Sequence, residues 1–130
     1  MDLTITGLTA AALAILLVLL ALDTIRNRFR TRLSFGLGDD PRLTSASRAH
    51  GNLTENAPIV LILLGLLEIG GADRQILTWV AGAFVVARVF HVIGLYTPSK
   101  GPPPLPRAIG VVTTVLIQLG LAVWLIGRLI

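Results

Sequence analysis

A chain of 130 residues is enough for one domain, but 54% of it is apolar and only 14% is charged. A soluble domain this small leaves too much surface in water to hide that apolar area, so lipid must supply the cover. The absence of cysteine excludes a disulfide framework, a thiolate metal site and a cysteine nucleophile, and a net charge of +4 with few aromatics does not describe a nucleic-acid surface.

Leu3 to Leu22 carries no charge, and about 20 apolar residues suffice to cross a hydrocarbon core of roughly 30 Å. Asp2 is the only charge within Met1 to Leu22, so the segment lacks the basic start of a cleaved signal and reads as a retained first helix, about 3–30. The basic run Arg26-Asn27-Arg28-Phe29-Arg30-Thr31-Arg32 follows, then a loop rich in Gly, Asp, Pro and Ser over Ser34 to Ser47. A second helix is expected over about 45–69, capped by Thr44 or Ser45, closed by Gly70-Gly71 and mildly kinked at Pro58. A third runs over about 75–95. Pro98 and Pro102-Pro103-Pro104 break the chain before a fourth, about 107–128. The apolar runs are continuous rather than alternating, which excludes a β-barrel. The expected fold is a single all-α integral membrane domain, a bundle of four transmembrane helices.

The first and third connections hold Arg26, Arg28, Arg30, Arg32, Arg42, Lys100 and Arg107, and the opposite side only Arg74 and Arg128. The positive-inside rule therefore puts the basic loops in the cytoplasm and both termini outside it. Arg30 and Arg32 read as topology signals among lipid headgroups. Glu68 and Asp73 read as solvated boundary residues, Trp79 and Trp124 as interfacial anchors, and Gly110, Gly120 and Gly127 as sites of close helix packing.

Other polar residues interrupt the apolar pattern on chosen faces. Arg48, Asn52 and Glu55 are spaced i, i+4, i+7 and lie within about 60° of one another. Arg88, His91 and Leu95 repeat the theme on helix 3, and Arg107, Thr114 and Gln118 line up on helix 4. An intramembrane charge costs roughly 2.5–3.5 kcal/mol on insertion scales, so such residues face the bundle or a wet cavity. One reading pairs Glu55 with Arg48 or Arg88 as a structural ion pair. The other notes that one carboxylate among several cations, with Arg26 and Arg28 close by, leaves positive charge for an anion. Arginine forks bind carboxylates, Glu accepts from an ammonium and Asn serves a peptide group, which suits a small zwitterion with more carboxylates than amines.

The segment Arg48-Ala49-His50-Gly51-Asn52-Leu53-Thr54-Glu55-Asn56-Ala57-Pro58 resembles the helix 2 signature R-A-x-x-N-x-x-E-x-x-P of the membrane-associated proteins in eicosanoid and glutathione metabolism. Microsomal glutathione transferases belong to that family. Ala87-Arg88-Val89-Phe90-His91-Val92-Ile93-Gly94 is similar to its helix 3 motif, and the resemblance extends over nearly the whole chain. It implies a homotrimer in a bacterial inner (cytoplasmic) membrane, with glutathione as cosubstrate between subunits near the cytoplasmic face. Carried over by position, Arg48, Asn52, Glu55, Arg88, His91 and Arg107 would hold glutathione, with Arg26 supplied by the adjacent subunit. Arg107 or Arg26 would stabilise the thiolate that attacks a lipophilic electrophile. His50 lies about 200° around helix 2 from Arg48; it serves a neighbour's site or packs as a structural histidine. Gly51 stands where some members carry a basic residue, and Leu95 where members often carry tyrosine.

Two functions fit these features: a glutathione-dependent transferase or peroxidase, and a non-catalytic family member, small transporter or structural oligomer. Small four-helix multidrug exporters rely on a carboxylate within helix 1, which Leu3 to Leu22 does not contain. Reporter fusions test the topology. A fusion at Ile130 is expected to report the non-cytoplasmic side and one within the 34–47 loop the cytoplasmic side.

Overall fold

A computed structural model describes residues 2–99 and 101–130; Met1 and Lys100, the latter counted above among the loop cations, lie outside the described residues. Four helices follow in order: α1 (Thr4–Thr31), α2 (Pro41–Ile69), α3 (Arg74–Tyr96) and α4 (Leu105–Leu129). No strand occurs among the described residues. All four helices are long and apolar enough to cross a membrane, and the protein is an all-α, multi-pass membrane protein.

Helix length decides what leaves the bilayer. α1 has 28 residues and α2 has 29, so each is about 42 Å long at about 1.5 Å per residue, against a hydrocarbon core of about 30 Å. The excess emerges at the arginine-rich end, where α1 finishes and α2 starts. α2 begins at Pro41 rather than near 45, and its cap is Asp40 rather than Thr44 or Ser45. Asp40 Oδ1 accepts from the Leu43 amide at 2.7 Å, and Pro41 fits the first helical position because its missing N–H has no partner there anyway. The same oxygen accepts from Arg30 Nη2 at 2.6 Å. Arg30 is thus a tertiary pin joining α1 to α2, not a charge left to the headgroups. Its hydrogen bond, with that of Leu43, holds the Asp40 carboxyl below the usual carboxylate range.

α1 packs along α2 and α3 along α4; α2 also touches α3 and α4, α1 touches α3, and α1 and α4 are not in contact. Leu13, Leu53, Leu64, Leu77, Phe84 and Leu121 are buried at the centre. Lipid tails are as apolar as these side chains, so their gain is van der Waals packing rather than exclusion of water. Gly110 makes a close crossing, since a Cβ there would lie 2.6 Å from the His91 Cβ. Gly120 and Gly127 do not share this role: a Cβ at either would meet nothing in the chain within 4 Å. α2 runs through Pro58 as one helix and ends at Gly70, with Gly71 at φ 71°.

Glu68 corrects another expectation. It is buried rather than solvated, and its carboxylate caps α1 from the side. One oxygen accepts from the Ile5 amide at 2.9 Å. The other accepts from the Thr6 amide at 2.8 Å and the Thr6 hydroxyl at 2.7 Å. An anion at a helix N-terminus satisfies orphan N–H groups and opposes the positive end of the helix dipole. Asp73 remains exposed and caps α3 by accepting from the Ile76 amide at 2.9 Å. Trp79 and Trp124 flank an apolar groove near this end of the bundle.

Bonds to an ionised group contribute about 1.5–3 kcal/mol each. Glu68→Ala is therefore expected to cost at least that much stability, read as a lower melting temperature in detergent, and to loosen α1 at its N-terminus.

Candidate functional site

The polar stripe of α2 lies on an open cavity of about 580 Å³ at the arginine-rich end. Arg48, Asn52 and Glu55 supply one wall, His91 and Leu95 of α3 another, and Arg107 and Val111 of α4 a third. The 1–2 loop completes the lining with Gly36 and Leu37. Arg28 holds that loop in place: its Nη1 donates to the carbonyls of Ser34 at 3.1 Å and Gly36 at 3.2 Å. Arg28 lines the cavity as well.

Two glycines bring the third wall into position. A Cβ on Gly94 would collide with the backbone of Arg107, and one on Gly110 would lie 2.7 Å from the Ala87 carbonyl oxygen. With no Cβ at either place, α4 crosses α3 closely and sets the start of α4 beside His91. His91 is only 4% exposed, and its Nδ1 is buried without a partner among the described residues.

Behind Asn52 lies a buried cation. Arg88 is 2% exposed and does not line the cavity. Its Nη1 donates to Asn52 Oδ1 at 2.7 Å, and its Nη2 donates to the Gly110 carbonyl at 2.9 Å and to the Thr114 hydroxyl oxygen. Thr114 in turn donates to the Gly110 carbonyl at 2.8 Å. The Phe84 ring centroid sits 5.6 Å from the guanidinium carbon, within cation–π range. A second tier lies below, where Gln118 Nε2 donates to Asn56 Oδ1 at 3.2 Å.

The ion pair expected of a purely structural Glu55 does not form. Among the described residues the salt bridges are Arg30–Asp40 and Arg74–Asp2, and Glu55 is exposed in the cavity. Arg48, Asn52, Glu55, His91 and Arg107 are thus brought together, Arg88 is not, and His50 and Arg26, expected to serve a neighbouring subunit's site, lie elsewhere. Arg88 spends its hydrogen bonds on the bundle. His50 is half-buried away from the cavity, its carbonyl accepting from the Thr54 hydroxyl at 2.8 Å. Arg26 lines a separate cleft of about 660 Å³ with Asp23, Arg42 and Tyr96. Tyr96 donates to Asp23 Oδ2 at 2.5 Å there, and Leu95 borders both spaces. Arg28 is the lining cation that helical spacing did not assign, because the folded-back loop, not the helix face, turns it to the site.

Fold and cavity define a polytopic helical membrane protein with a cationic, water-accessible pocket at one membrane face. The chain belongs to the MAPEG family, whose pattern matches residues 6–127. The inner membrane protein YecN of Escherichia coli strain K12 is 30% identical over 92 residues, covering 71% of this chain and 70% of YecN. YecN of Escherichia coli O6:H1 matches to the same extent. No solved structure matches the chain. With its four helices long and apolar enough to cross a membrane and its similarity to an inner membrane protein, the protein is a multi-pass integral protein of the inner membrane.

Gly110→Ala places a methyl group where the α3 backbone and His91 already stand. Overpacking of this kind costs about 1–3 kcal/mol, so the variant is expected to melt lower. The Gly120→Ala control, which meets open space, is expected to melt like wild type.

Proposed function

We propose that this protein is a glutathione-dependent transferase or peroxidase acting on lipophilic electrophiles from the bilayer. The observation that carries the reading is the free Glu55 carboxylate sharing one open cavity with Arg48 and Arg107. Glutathione has two carboxylates, one ammonium and a thiol, and the cavity offers three arginines, one carboxylate and one amide. The cavity volume lies within the range of about 300–1,000 Å³ usual for small-ligand sites. Glutathione would supply the nucleophilic sulfur. Arg107, at the mouth between α3 and α4, would favour the thiolate by placing a positive charge near it.

The site is proposed to lie between subunits of a homotrimer. Below the cavity, the same face of α2 continues as Ile59, Ile62, Leu66 and Ile69, all about half exposed. From Arg48 to Ile69 the spacing is a regular alternation of four and three, the seam along which helices self-associate. With Leu66 in one of the alternating positions and Ile62 and Ile69 in the other, the pattern favours three or four strands over two. A neighbour seated on this stripe would wall the open side of the cavity, and its α1 would bring Arg26.

Calorimetry with glutathione on detergent-solubilised protein, together with melting temperature, tests the reading. Glu55→Gln is expected to weaken glutathione binding ten- to a hundredfold, as the loss of one charge-assisted bond of about 1.5–3 kcal/mol requires, with stability near wild type. Unchanged affinity with a large loss of stability would return Glu55 to a structural role. Native mass spectrometry in mild detergent is expected to show trimers; monomers alone would remove the intersubunit site.

A further inference from the structure

We infer that Arg88 is a positioning residue that fixes the Asn52 amide with its N–H₂ group toward the cavity, so that the site reads an acceptor oxygen at this point. The inference rests on the proposed glutathione site and specifies what that site recognises there.

A guanidinium has five N–H donors and no acceptor. An asparagine placed against it must therefore turn its oxygen to it, because the alternative sets N–H against N–H. Arg88 is held from behind by the Gly110 carbonyl and by Thr114, both on α4, so it cannot swing away from Asn52. Asn52 Oδ1 takes the Nη1 bond at 2.7 Å. Asn52 Nδ2 makes no hydrogen bond among the described residues and is not among the buried, unpartnered atoms. It is the polar atom that Asn52, a lining residue, has left for a ligand.

The consequence is selectivity. An unrestrained asparagine presents a donor or an acceptor by rotating its amide; this one presents donors only. Glu55, one helical turn on, is then the lone acceptor side chain among the lining carboxamide, carboxylate and guanidinium groups. A ligand carboxylate or peptide carbonyl fits at Asn52 and an ammonium fits at Glu55. An N–H group offered to Asn52 is rejected, since it would leave two donors facing each other.

Asn52→Asp separates this role from a merely structural one. The carboxylate keeps the bond to Arg88 and adds charge to it, so the variant is expected to melt no lower than wild type. It also replaces the donor by an anionic acceptor, so glutathione affinity is expected to fall at least tenfold by calorimetry. A second readout uses protein labelled with ¹⁵N at its three asparagines, Asn27, Asn52 and Asn56. The Asn52 side-chain amide protons are expected to shift when glutathione is added, and those of Asn27 to stay in place. If wild type binds glutathione while Asn52→Asp binds equally well, or the Asn52 amide protons do not move, the inference is overturned and the glutathione site stands. If wild type itself binds no glutathione, the site falls and the inference falls with it.

Discussion

A guanidinium buried without a carboxylate is the constraint around which this bundle is arranged. Insertion scales put its cost at roughly 2.5–3.5 kcal/mol at the centre of a membrane helix. Arg88 is met by neutral oxygens instead of an anion: an amide from α2, and a carbonyl and a hydroxyl from α4. Each charge-assisted bond contributes about 1.5–3 kcal/mol, so three of them offset the insertion cost and join three helices in the process. In lipid there is little hydrophobic force to hold apolar helices together, and directional bonds of this kind set their register. The Gly110 carbonyl can reach Arg88 because Gly110 has no side chain to keep α4 off α3.

The arrangement also separates two uses of charge at the arginine-rich end. Charges that hold the fold donate to protein oxygens: Arg88 to the bundle, Arg30 to Asp40 and Asn27, and one nitrogen of Arg28 to the loop carbonyls. Arg48, Glu55 and Arg107 form no salt bridge among the described residues and face the cavity. Side chains kept unpaired in a wet cavity cost little there, because water solvates them until a ligand displaces it. A carboxylate that is free while arginines share its cavity does not brace the bundle, and under the proposed function it is the group that accepts from a ligand ammonium.

The opposite end shows the complementary economy. One buried carboxylate, Glu68, satisfies three donors at the start of α1. Arg128 of α4 donates to the Gly70 carbonyl at 2.5 Å, joining the far end of α4 to the close of α2. The bundle is thus tied at both membrane faces, and its middle relies on side-chain packing. α1 and α4 never touch, so the cross-bundle ties run through α2 and α3.

Much of this was legible along the chain. Two uncharged runs of membrane-spanning length, Leu3 to Leu22 and Ala108 to Gly127, and two apolar runs with few charges fix the number of helices, since a backbone in lipid must satisfy its own hydrogen bonds and a helix does so within one segment. The spacing of Arg48, Asn52 and Glu55 puts them on one face, because helical periodicity is a local property. Glu68 was misread for the complementary reason: its partners, Ile5 and Thr6, are more than 60 residues away, and a lone acid near a helix end looks solvated until its neighbours are known. The Asp40-Pro41 start of α2 carried a local signal, an aspartate cap before a first-turn proline, but the apolar pattern begins later and drew the boundary inward. Helical facing cannot distinguish a residue that lines a cavity from one that lies behind it. Arg88 and His91 share a face of α3, yet Arg88 is spent on Asn52, Gly110 and Thr114 while His91 reaches the pocket. That division depends on how closely α4 crosses α3, a distance set by two glycines on different helices and therefore by packing alone.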